Sequence, residues 1–408
     1  MLALALRIFS RTADMFKPLR TRLAAYLRNR LKNHPSRSLA IMAEDKDADV
    51  IECDEEPLML NAASGYGYFP AKLGGTLHDN RYHLMRKLGW GSYSSVWLCK
   101  DTLCVHSSSQ IKTSLDILLF PPHFRTKDYV ALKILTVNST IGHKIGAATE
   151  LAFLQRISSA DLNHPGRKHC STVLDNFMED EIHGKHLCLS FMPLGQSVSA
   201  LRRARKPPVL PINVVKSVVY QTLLALDYLH VRCQIVHTGI SSYLCSPWLC
   251  TDSTNADVKP DNILLRLDNM KSLIEETVAR DPSRTYPIRK DQPNLPATVV
   301  SQPIPTPEAA QNSGSLNIIL TDFGQGESPI LAVLIPFSNT GSSAQFLDKR
   351  VTDDIQPGAL RAPEVIIGYE WGTKVDIWAL GCLVIIFLLK NCVVFEDQLF
   401  TDHRYSNF

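Results

Sequence analysis

Hydrophobic and polar positions divide the chain into two regimes. From residue 66 to about 200, short apolar runs are punctuated by glycine and turn residues. "GYGYFPAKLGGTLHDNRYHLMRKLGWGSYSSVWLCKD" opens this region, and its aromatic and β-branched residues between glycines predict hairpins. "YVALKIL" (129–135) and "HLCLSFMPLG" (186–195) predict strands. Between them "GAATELAFLQRIS" has helical spacing, with Leu151, Leu154 and Ile157 on one side. Beyond residue 200 the pattern lengthens. "PINVVKSVVYQTLLALDYLHVR" predicts a long helix with proline at its start. "IWALGCLVIIFLL" (Ile377–Leu389) is apolar throughout, and its thirteen residues are too few to span a bilayer as a helix. It predicts a buried core helix. Residues 266–315 are polar and proline-rich and predict a loop, linker or mobile insertion. "LNIILTDFGQG" returns to strand and turn. The expected fold class is α+β, sheet-rich first and helix-rich later.

Charge refines the start of the chain. Residues 1–43 carry nine Lys/Arg and one acid, Asp14, and residues 44–56 carry eight acids against Lys46. Residues 1–65 therefore predict a flexible segment, basic and then acidic. "MLALAL" is too short for a signal-peptide core. The basic start reads as an arm or surface helix, with a mitochondrial presequence as the other reading. The net charge of +3 over 408 residues gives no general argument for polyanion binding. The ten cysteines are scattered without a zinc-knuckle spacing, so reduced structural thiols are expected.

Four motifs in order carry the chemistry. "LGWGSYSSV" (Leu88, Gly89, Trp90, Gly91, Ser92, Tyr93, Ser94, Ser95, Val96) is rich in small residues that let backbone amides approach phosphate oxygens. Lys133 sits inside an apolar strand, where an unpaired charge is costly, and Glu150 on the next helix is its expected partner. In "DVKPDNILL", Asp257 is placed to orient and deprotonate a hydroxyl, Lys259 to steady a transferring phosphate, and Asn262 to offer an oxygen to a metal. "TDFGQG" supplies Asp322, a hard oxygen ligand suited to Mg²⁺. "APE" follows at Ala362–Glu364. The order points to ATP and Mg²⁺ as cofactors and to phosphoryl transfer.

The chain further resembles the serine/arginine-rich splicing-factor kinases, in their fungal form. The resemblance is carried by "RYHLMRKLGWGSYSSVWL", "LDYLH" before "VHT", "DVKPDNILL" and "TDDIQPGALRAPEVIIGYEWGTKVDIWALGCLV". Thr238 and Ser94 stand at positions where this family differs from other kinases. It covers roughly residues 66–400. The resemblance implies a bilobal kinase with ATP between a β-rich N-lobe (66–200) and a helical C-lobe (201–408). It implies that Asp376 holds the catalytic loop through backbone hydrogen bonds. It also implies protein substrates, Arg/Ser-rich splicing factors foremost, with no direct nucleic-acid binding, no membrane, a monomer, and residence in nucleus and cytoplasm.

The sequence departs from that pattern in places. His237–Thr238 is separated from Asp257 by eighteen residues, 239–256. Residues 327–344 and 103–124 also look surplus. They read as unspliced intron sequence translated in frame, or as genuine insertions. The chain stops soon after the helix bearing Asp376, so the C-lobe is expected to be incomplete and the protein poorly stable. A catalytically impaired, kinase-fold binding or regulatory protein is the alternative reading. A nucleic-acid-binding module rests only on the basic arm.

Overall fold

A computed structural model describes residues 55–64, 66–103, 128–144, 150–181, 184–238, 262–287, 296–307, 316–324, 344–346, 355–356 and 360–389. The proposed surplus segments 239–256, 103–124 and 327–344 lie outside these residues, apart from Leu103 and Ala344.

The N-lobe is a six-stranded antiparallel sheet in the order β1-β2-β3-β4-β6-β5. Its strands are β1 (Thr76–Leu77), β2 (Tyr82–Gly91), β3 (Ser94–Asp101), β4 (Tyr129–Leu135), β5 (Asp175–Glu181) and β6 (Gly184–Phe191). Alternation sorts their side chains between two faces. Tyr82, Leu84, Trp97, Cys99, Val130, Leu132, Ile134 and Cys188 form one apolar cluster, closed by Ala71 and Leu77. Lys133 falls between Leu132 and Ile134 and therefore points to the opposite face. Two helices follow β4, α1 (Val137–Lys144) and α2 (Glu150–Ser159). The second buries Glu150, Phe153, Leu154 and Ile157, while Leu151 is half-buried.

The helical C-lobe contains α3 (Val198–Arg203) and α4 (Ile212–Asp227). A turn of π-helix, Tyr228–Cys233, extends α4 and ends at Gln234 in the left-handed region, φ 59°. Two strand pairs follow, β7 (Ile235–Val236) with β10 (Gln345–Phe346), and β8 (Ile263–Arg266) with β9 (Asn317–Leu320). Between β8 and β9 runs α5 (Met270–Arg280), and the last elements are α6 (Pro363–Ile366) and α7 (Lys374–Leu388). Valines 214, 215 and 218 with Ala225 and Leu226 form one buried stripe on α4. This stripe shares a core with Ala379, Leu380, Leu383 and Phe387 of α7. The all-apolar run is thus a core helix, although Ile377 and Trp378 face outward. Among the described residues, no helix is long and apolar enough to cross a membrane.

Polar ties join the lobes' elements. The Tyr228 hydroxyl donates to the Ile157 carbonyl at 2.6 Å, linking the end of α4 to α2. Gln221 donates to the Leu316 carbonyl and accepts from the Ile318 amide, which sets β9 on α4. Gly166 approaches α4 so closely that a Cβ there would lie 1.8 Å from the Leu224 carbonyl oxygen. Gly166→Ala is expected to destabilise the fold by about 2–3 kcal/mol, the cost of overpacking against rigid backbone. A urea midpoint equal to wild type would mean that this segment is not seated on α4.

The proline-rich region differs from the expected loop. It contains α5, and residues 284–286 pair with 298–300 through Tyr286 N to Thr298 O and Val300 N to Arg284 O. This ribbon covers the edge of β2 left bare by the two-residue β1. The Gln302 amide donates to the Lys87 carbonyl at 2.8 Å, and Arg86 donates to the Gln302 carbonyl at 2.7 Å. Arg86 also pairs with the Asp281 carboxylate at 2.7 Å. Register shifts at Leu84/Arg86 and Lys87/Gly89 break the alternation of β2, so these adjacent cations are both buried. Ile274 and Ile304 pack on Leu98 of β3. The end of the lead-in is likewise anchored. Glu55 and Glu56 both contact the Lys87 ammonium, and Glu55 accepts from Ser301. The sequence reading placed these acids in a flexible acidic segment because their counter-ion lies on a later strand.

Among the described residues, Cys99, Cys170, Cys188 and Cys233 are buried thiols outside any disulfide, and Cys382 is buried as well. This agrees with the structural role expected of them.

Candidate active site

Strand register assembles one side of the site. Gly89 pairs with Val96, and Val96 pairs with Lys133, so the three lie in one row across β2, β3 and β4. The hairpin turns at Ser92–Tyr93, with Gly91 opposite Ser94 and Trp90 opposite Ser95. A Cβ at Gly89 or Gly91 would meet no atom within 4 Å, so the backbone there is open to close approach. Trp90 is partly exposed and Ser94 is buried. Leu88 packs beside Leu98. Ser95 turns away from this row: its hydroxyl accepts from the Trp97 indole at 3.0 Å, on the other face of β3.

Lys133 projects from this row to two carboxylates. Its ammonium lies 2.7 Å from Glu150 Oε1 at the start of α2 and 3.4 Å from Asp322 Oδ1. Burial acts against the charge on Lys133, but Glu150 and then Asp322 outweigh it and raise its pKa. Burial pushes the Glu150 carboxyl up, opposed by Lys133. The Asp322 side chain is 44% exposed, against 9% for Glu150. The inner carboxylate therefore holds the lysine, and the outer one faces solvent. Gly324 lies close beside them: a Cβ there would lie 3.1 Å from Glu150 Oε2 and 3.3 Å from Asp322 Oδ1, so both carboxylates would have to shift slightly.

Asp322 is fixed by its neighbours. The Asn262 carbonyl accepts from the Thr321 amide at 2.9 Å, continuing the β8–β9 pairing to the residue before Asp322. His237 Nε2 donates to the Thr321 carbonyl at 3.0 Å. On the other side, the fully buried Phe323 ring meets the His237 ring at 5.1 Å. Burial lowers the His237 pKa, which favours this neutral tautomer. Asp322 itself adopts φ 63°, a left-handed conformation costly for residues other than glycine.

Asp376 of α7 organises the turn below. Its Oδ2 accepts from the His237 amide and its Oδ1 from the Thr238 amide, both at 2.8 Å. The backbone bonds that the resemblance implied for Asp376 are thus present. A third donor was not foreseen: His230 Nε2 donates to Oδ2 at 2.8 Å. Its sequence signal is its place as the last residue of "LDYLH", seven residues before His237.

The sequence-predicted residues Lys133, Glu150 and Asp322 are brought together, with Asn262 immediately before β8 and bonded through its carbonyl to Thr321, the neighbour of Asp322. Asp257 and Lys259 lie outside the described residues, as does the break that precedes them.

No protein-family model matches the chain. Individual proteins do. The chain is 27% identical over 381 residues to protein kinase dsk1 of Schizosaccharomyces pombe, a match covering 81% of this chain and 65% of that protein. It is 29% identical over 323 residues to the serine/threonine-protein kinase SRPK of Physarum polycephalum, covering 78% and 62%. With mouse SRSF protein kinase 3 the identity is 31% over 228 residues, covering 54% and 33%. The chain thus spans just under two thirds of the length of the first two relatives. A crystal structure of a kinase domain aligns with a TM-score of 0.45 and 22% identity, covering 79% of this chain and 68% of that one. The homology runs to serine/arginine-rich protein kinases of fungi and animals alike, which corrects the narrower fungal reading.

Proposed function

We propose that this chain is an ATP-dependent protein kinase that phosphorylates serine, and also threonine, in Arg/Ser-rich splicing factors. The observation that carries the reading is the Lys133 ammonium held between a buried and an exposed carboxylate, in the row of the glycine-rich hairpin. A fixed cation beside an open backbone suits phosphate oxygens, and an outer carboxylate suits a hard metal. The substrate class is supported by the relatives, among them SRSF protein kinase 3.

In this reading Lys133 aligns the phosphates and Glu150 holds Lys133. Asp322 and Asn262 offer oxygens to Mg²⁺, which would neutralise charge on the phosphates when bound. Asp257 takes the proton from the attacking hydroxyl, and Lys259 steadies the group in transit. The hydroxyl oxygen forms the new bond to the γ-phosphorus as the bond to ADP breaks. Catalysis of this kind is positioning and electrostatics more than covalent chemistry. The protein would act as a monomer in the nucleus and cytoplasm, without direct contact to nucleic acid.

The test is label transfer from ATP to an Arg/Ser peptide, with Ser→Ala peptide as control. Labelled serine is expected. Nucleotide binding without transfer, both in the full chain and after removal of residues 239–256, would leave a kinase-fold binding protein.

A further inference from the structure

The tip of the glycine-rich hairpin has an anchor outside the Lys133 cluster. The stretch from Tyr66 to Ala71 precedes the sheet and lies between the hairpin and α1. On one side, the Gly67 carbonyl accepts from the Val137 amide at 2.9 Å and the Tyr66 carbonyl from the Asn138 amide at 3.4 Å. Gly67 has φ 83°, and a Cβ on it would lie 3.2 Å from the Val137 Cβ, so only glycine lets this stretch sit so close to α1. On the other side, the Tyr68 hydroxyl donates to the Gly91 carbonyl at 2.8 Å. The Tyr68 ring is 1% exposed and meets Trp90 edge-on at 6.0 Å, with Tyr66 stacked behind it at 6.3 Å. The tip is tied a second time where the Thr136 amide donates to the Tyr93 carbonyl at 2.8 Å. A buried phenol needs an acceptor, but this one takes a carbonyl of the hairpin whose Cβ side is open space.

We propose that Tyr68 is a positioning residue, whose hydroxyl holds the glycine-rich hairpin, through Gly91, at the height where it covers nucleotide phosphates. The role rests on the kinase reading for its purpose, though not for its geometry. Tyr68 touches no substrate and acts only through the hairpin. Because the same stretch is bonded to α1, movement of the hairpin and of α1 are coupled through it.

The test compares full-length wild type with Tyr68→Phe, which keeps the ring and removes the hydroxyl. Amide hydrogen exchange is read at residues 89–95 and, as reference, in α4 and α7. Dissociation of a fluorescent ADP analogue with Mg²⁺ is read in parallel. Exchange at the hairpin is expected to rise about five- to tenfold, the scale of one neutral hydrogen bond. Analogue release is expected to quicken by a similar factor, with α4 and α7 unchanged. Unaltered exchange at 89–95, or a uniform rise that includes α4 and α7, would overturn the proposal. Local loosening with no analogue bound by either protein supports the positioning and overturns the kinase reading instead.

Discussion

Lys133→Met is expected to lower phosphoryl transfer by about a hundredfold to a thousandfold, the scale of losing one preorganised donor in an active site. The substitution keeps the length of the side chain and removes its charge. It leaves Glu150 buried beside a thioether and Asp322 without its cation at 3.4 Å. Part of the loss could come from a displaced α2, since Glu150 begins that helix. Glu150→Gln separates the two effects. The amide preserves a hydrogen bond to Lys133 and removes the charge that fixes it, so a smaller loss, about tenfold, is expected. Steady-state rates with varied ATP make the comparison. Full activity in Lys133→Met would remove the central observation behind the proposed function.

Asp376→Ala is expected to be the most damaging change to the fold among the site residues. Asp376 is fully buried and accepts from three donors, the His237 and Thr238 amides and His230 Nε2. Removing it leaves all three without that acceptor in the protein interior. Each unsatisfied buried group costs about 1–3 kcal/mol, so the total is roughly 3 kcal/mol or more. The turn also has a strain to be held against. Thr238 is β-branched and sits at φ 55°, a conformation such residues avoid. Without the carboxylate the turn is expected to relax, carrying His237 away from Thr321 and so freeing Asp322. Denaturant unfolding would show a large drop in stability. Asp376→Asn, which keeps the shape and one acceptor, is expected to fold better while remaining impaired. Wild-type stability in Asp376→Ala would show that the bonds to His237 and Thr238 contribute little.

Much of this fold was legible because its main elements bury one regular face. The strand at Tyr129–Leu135, the helix with Leu154 and Ile157, and the valine stripe of α4 all follow from spacing. Lys133 and Glu150 were legible for a related reason: a lysine inside an apolar strand demands a partner. The proline-rich region was not legible. Helix α5 buries only Ile274 and Thr277, too few to mark a face. The partners that fix the rest of the region lie on a strand nearly two hundred positions earlier, as Arg86 to Asp281 spans 195 residues. The left-handed backbone at Thr238 and Asp322 also leaves no mark in composition, because tertiary bonds impose it. His230 was missed because its purpose appears only when α7 arrives beside it.

The docking of that ribbon on β2 has a consequence for how the sequence can drift. Arg86 and Lys87 cannot change charge alone, because their answering groups come from both ends of the sheet's history: Glu55 and Glu56 before it, Asp281 long after. A stretch that looks like tolerant filler is therefore inherited together with the strand it covers. Any shortened version of the protein that discards it would strand Arg86 on an uncovered sheet margin and leave Lys87 to Glu55 and Glu56 alone.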